Sequence, residues 1–79
     1  MISYKKYYNQ IGDISTQEIV QEITANEHCD SRLKDIAEKY KALDVVIDKL
    51  DNYDKLEDEY IILDNQAEEI IEELAEKEE

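Results

Sequence analysis

The sequence predicts an all-α fold: a small three-helix arrangement with a long C-terminal helical hairpin, preceded by an N-terminal arm. Three observations carry that expectation. Apolar residues recur at alternating steps of four and three, the period of a helix face packed on a neighbour. Proline is absent and the one glycine, Gly12, lies near the N-terminus, so no strong breaker interrupts the rest. Side chains that start helices stand where each helix is expected to begin.

Residues 1–12 form the arm. It can be read as a short strand, an extra helical turn or an extended flap, and Gly12 separates it from the helical body of residues 13–79. Behind the glycine, Ser15-Thr16-Gln17-Glu18 fits a capping box, in which Ser15 and Glu18 each satisfy a backbone N–H. Ile14 and Ile19 fit the accompanying hydrophobic staple. A helix over about 16–27 follows, with Ile19, Val20 and Ile23 on one face. It is too short to stand alone and must dock.

Asp30 or Ser31 can cap a second helix over 31–51, whose stripe is Ile36, Tyr40, Leu43, Ile47 and Leu50. Tyr53 and Leu56 then break the rhythm. Tyr60, Leu63, Ala67, Ile70 and Leu74 resume it about 100° further round the helix. A turn within residues 51–54 explains the slip, with Asn52 left-handed and Asp54 and Glu57 capping a third helix over 54–77. The alternative is one helix over 31–77, on the order of 70 Å long, which would have to bury its stripe in a coiled-coil oligomer.

Charge narrows the function. There are 22 acidic residues against 9 Lys and Arg, for a net charge of −13. Residues 1–12 carry +2, residues 13–55 carry −5 and residues 56–79 carry −10. Nucleic acid and anionic lipid repel such a surface, so neither direct nucleic-acid binding nor membrane binding is expected. A basic protein is the natural complement, and its encounter is fastest at low salt. The chain carries no signal-like apolar stretch, which points to the cytoplasm.

Catalytic, metal and cofactor chemistry find little support. His28-Cys29-Asp30 holds the one histidine beside the one cysteine, but neighbours in a helix diverge and no second histidine completes a triad. The acids of residues 48–59 lack the glycine and alternating ligands of a calcium loop. The expectation is a binding protein with no catalytic residues, no metal and no cofactor.

Two constellations suggest a partner surface. Asp64, Glu68, Glu72 and Glu76 stand four apart in one row, with Glu69 and Glu73 in a second row beside it. Neighbours in a row lie about 6 Å apart, close to the spacing of phosphates along a strand. Like charges so placed repel, and crowding of this kind predicts raised carboxylate pKa values and a gain of helix in mild acid. Tyr4, Tyr7 and Tyr8 beside Lys5 and Lys6 make the arm a secondary candidate, because tyrosine is a favoured anchor at protein interfaces. It either contacts a partner or folds over the acidic helices.

Small, acidic and rich in Ile, Lys, Tyr and Asn, the chain resembles short accessory proteins of phages and mobile elements in low-GC bacteria, a resemblance of composition carried by no motif. The leading expectation is a small acidic inhibitor that blocks the basic nucleic-acid-binding surface of a nuclease, restriction or CRISPR-type effector by carboxylate mimicry of DNA phosphates. The alternative is a coiled-coil structural or adaptor protein that self-associates as a homodimer.

Overall fold

A computed structural model describes residues 3–50 and 53–77, with the side chains of residues 50 and 53–55 outside the description. The fold is all-α. Four helices follow in order: α1 (Tyr4–Gln10), α2 (Thr16–Thr24), α3 (Ser31–Leu50) and α4 (Tyr53–Lys77).

The arm is a helix of two turns. Its sequence alone does not dictate this: α1 has no side-chain cap, no acid in its first turn and no fully buried residue. Tertiary contact holds it instead, since α1 lies chiefly against α4 and Tyr4, Tyr7 and Ile11 pack on the core. The Asp30 N–H donates to the Tyr4 hydroxyl at 3.2 Å, which also ties α1 to the start of α3. Gly12 turns the chain at φ +100°, a backbone state that side-chain-bearing residues adopt at a cost.

Ser15 starts α2 as the sequence predicts. Its Oγ accepts the Glu18 N–H at 3.3 Å, the forward half of the capping box. Ile19, Val20 and Ile23 are fully buried on one face. The helix stops at Thr24, earlier than the predicted residue 27. Asn26 Oδ1 accepts the His28 N–H at 2.9 Å, a local bond that competes with continuing the helix.

Asp30 caps α3. Its Oδ1 accepts the Arg32 N–H at 2.8 Å and its carbonyl accepts from Leu33 and Lys34. α3 and α4 then run antiparallel, with Arg32 opposite Glu73, Tyr40 opposite Asp64 and Asp44 opposite Tyr60. A single helix over 31–77 is thereby excluded. The expected left-handed Asn52 lies outside the described residues, as does the side chain of Asp54. Because α4 already includes Tyr53, Asp54 sits inside its first turn rather than at its cap.

One correction concerns α4. The predicted stripe of Leu63, Ala67, Ile70 and Leu74 is only half right, because the buried line is Leu63, Ala67, Ile71 and Ala75. Ile70 and Leu74 are half-buried. Ile71, which the predicted stripe leaves out, is fully buried. The cause is α1. Steps of four residues advance about 40° round the helix each time, so the buried line winds away from α3 toward the side that α1 covers.

This packing makes two isoleucines of α4 unequal. Ile71→Ala should destabilise the protein by about 2–5 kcal/mol, the range for truncating a buried core residue. Ile62→Ala, at a side chain 49% exposed, should stay within about 0.5 kcal/mol. Denaturant unfolding followed by circular dichroism measures both. Similar costs at the two sites would contradict the winding of the buried line.

Candidate functional site

The same 40° advance governs the carboxylate rows. From Asp64 to Glu76 the row turns about 120° round α4, so its two ends meet different surroundings. Asp64 and Glu68 are half-buried and face the body. Asp64 accepts the Tyr40 hydroxyl, and Glu68 Oε1 accepts the Thr16 hydroxyl at 3.3 Å. Glu72 and Glu76 are exposed and border a hollow against α1 that Lys5, Tyr8 and Asn9 complete.

The second row divides as well. Glu73 is engaged, its Oε2 2.9 Å from Arg32 and its Oε1 3.6 Å from Lys77. Glu69 is exposed. Spacings of three and four put Glu69, Glu72 and Glu76 on one outward line, to which Asn65, Ile62 and Asp58 also belong. Reading each row as straight conceals this line, which crosses both of them. A helical projection at 100° per residue reveals it from sequence, once the buried side is known.

Tyr40 anchors the inward end. It is fully buried, and its ring stacks on Tyr60 with centroids 6.2 Å apart and planes 23° from parallel. Burial, with the Asp64 hydrogen bond and the charges of Asp64 and Glu68 behind it, pushes the phenol well above its ordinary pKa. Tyr60 reaches back across the hairpin and donates to Asp44 Oδ1, whose Oδ2 accepts from Gln17 at 3.0 Å.

Arg32 organises the opposite edge. Its Nε lies 3.0 Å from Asp30 Oδ1 while its Nη1 holds Glu73. Those hydrogen bonds keep both carboxyls below their ordinary range and raise the guanidinium further. At Glu73, then, pairing with Arg32 reverses the expected upward shift from crowding.

The arm candidates separate too. Tyr4 and Tyr7 pack on the core, and Tyr8 is 42% exposed. The arm therefore folds over α4. His28 is exposed in the loop between α2 and α3, while Cys29 packs against the core. Among the described residues no helix is long and apolar enough to cross a membrane. No protein-family model matches the chain, and neither does any curated protein or solved structure.

The pKa directions fix a pH dependence. Asp30 and Glu73 have depressed folded values, so their contribution is present above the unfolded values and lost as pH falls through the folded ones. Stability should fall from about pH 5 to about pH 3. Arg32→Gln should lower stability at pH 7 and flatten that fall. Tyr40 has the opposite sign: its contribution is present below about pH 10 and lost as pH rises through its folded value. Tyr40→Phe should therefore remove part of the alkaline loss. Helix content rising steadily between about pH 5 and pH 3 would show that repulsion among the acids dominates instead.

Proposed function

We propose that the chain is a small acidic protein-binding inhibitor, which occupies the basic nucleic-acid-binding surface of a partner with carboxylates in place of phosphates. The partner class is a nuclease or a restriction or CRISPR-type effector. The observation that carries the proposal is the exposed line of Glu69, Glu72 and Glu76 on α4. Three carboxylates lie there within about 10 Å of helix axis. They stand on a helix whose other side is packed on α1 and α3, so they are held rather than trailing in a tail. A fixed row loses little entropy on binding, and a net charge of −13 attracts a basic surface from a distance.

The inward carboxylates serve a different purpose in this reading. Asp64 and Glu68 accept hydrogen bonds from Tyr40 and Thr16, which fixes the rotation of α4 and so aims the outer line. Enzyme activity forms no part of the proposal. An origin in a phage or mobile element would suit an inhibitor of this kind.

An adaptor is the second reading, and one observation favours it. Val45, Ile61 and Ile62 are each about half exposed, and all three lie toward the hairpin turn. Between residues 44 and 62 the sequence holds seven acids and two bases, so self-association through that region works against repulsion.

Replacing Glu69, Glu72 and Glu76 by Gln should preserve the helix, since Gln is about as good a helix former as Glu. Affinity for a basic nuclease partner should fall at least about tenfold at low salt, chiefly through slower association. Asp64→Asn with Glu68→Gln should cost stability and leave association nearly unchanged. Surface plasmon resonance across a salt series, with duplex DNA as competitor, separates these outcomes. Unchanged binding by the triple variant, or failure of DNA to compete, would end the mimic reading.

A further inference from the structure

The groove between α3 and α4 is only half filled. α2 lies along it at the end near the start of α3, with Thr16 bonded to Glu68 on one wall and Gln17 bonded to Asp44 on the other. Beyond Ser15, where α2 begins, the groove continues toward the hairpin turn as an open cleft of about 440 Å³. Ile47 and Tyr60 supply its apolar surface, and Asp44, Asp48 and Asp64 its charge.

Its shoulders are apolar as well. Val45 stands three residues from Asp48 on α3, and Ile61 three residues from Asp64 on α4, so each flanks a carboxylate of the cleft. Both are about half exposed. The donors that meet Asp64 and Asp44 are neutral, tyrosine hydroxyls and an amide. Among the described residues, no Lys or Arg forms an ion pair with any of the three.

We infer that this distal groove receives an amphipathic helix of a partner, one whose apolar face is flanked by Lys and Arg. The molecule itself shows what the groove accepts, because α2 fills the other half with the apolar face of Ile19, Val20 and Ile23. The two halves differ in what meets their carboxylates: in the filled half Glu68 and Asp44 receive Thr16 and Gln17, whereas Asp48 joins Asp44 and Asp64 around the open cleft with no cationic partner among the described residues, so a basic occupant is the complement. A second copy of this chain meets that requirement poorly: α2 and α4 carry acids in excess of bases, α3 is near balance with four acids and five bases, and the whole chain carries −13. The inference shares with the proposed function a basic partner, but it uses a different surface and does not depend on mimicry of DNA.

The test uses the full chain and a designed 14-residue Leu/Lys amphipathic helix as probe, with amide chemical shifts followed by nuclear magnetic resonance. Shifts should concentrate at residues 44–48 and 60–64. Val45→Lys with Ile61→Lys should weaken binding at least about tenfold. Val45→Ala with Ile61→Ala should weaken it in the same direction, and circular dichroism should show both variants folded. The triple Gln variant at 69, 72 and 76 should bind within about twofold of the wild type. A Ser/Lys peptide of equal charge that binds as tightly would overturn the inference, because charge alone would then suffice. Shifts concentrated on residues 69–76, or a dimer formed through the groove without the peptide, would overturn it as well. Because the nuclease assay reads the outer glutamates and this one reads the groove, the two readings fail separately.

Discussion

The contact on which the rest of the structure depends is Tyr40 with Asp64. Tyr40 is fully buried where α3 meets α4, its ring lies on Tyr60, and its hydroxyl needs a partner away from water. Asp64 supplies that partner from the opposite helix. The bond sets the register of the hairpin, with Arg32–Glu73 and Asp44–Tyr60 in step on either side of it. It also sets the rotation of α4. Once Asp64 points inward, about 100° per residue decides where every later carboxylate points.

That rotation reconciles two demands on α4. The helix must bury an apolar line, and the charges of a very acidic segment must be accommodated. A line at steps of four winds round the helix, so one partner helix cannot cover it along its whole length. α3 covers its beginning and α1 its end, where Ile71 is fully buried and Ala75 nearly so. Acids beside that line are drawn inward at Asp64 and Glu68 and find hydrogen-bond donors there. The other acids of α4 among the described side chains face outward. The arm thus shapes the acidic surface by taking one side of α4, and the groove beyond Ser15 stays open because α2 is short.

Much of this architecture was legible in the residues. The Ser15 and Asp30 starts and the stripe through Ile36 and Tyr40 are local signals, and local structure obeys them. The hairpin was legible from a phase slip, because a turn changes which face of the next helix meets the last. The helical state of α1 was not legible: two turns without a cap have no local reason to form, and docking on α4 and the Tyr4 hydroxyl supply one. For the same reason Ile71 was misplaced, since its neighbour is an element whose state the sequence left open. The carboxylate rows were found as residues but misread as surfaces. Glu73 was given no partner because Arg32 lies forty-one residues away in sequence, and only the hairpin register brings them together.

The division of the α4 carboxylates into inward and outward sets is the central claim, and site-resolved accessibility tests it directly. Carboxyl carbon relaxation of each Asp and Glu, measured with a soluble cationic paramagnetic chelate, reports how closely a cation approaches each group. The account predicts strong enhancement at Glu69, Glu72 and Glu76 and weak enhancement at Asp64 and Glu68. Equal enhancement at Asp64, Glu68, Glu72 and Glu76 would mean that the whole row faces solvent, and would contradict the rotation of α4 on which both proposed binding surfaces depend.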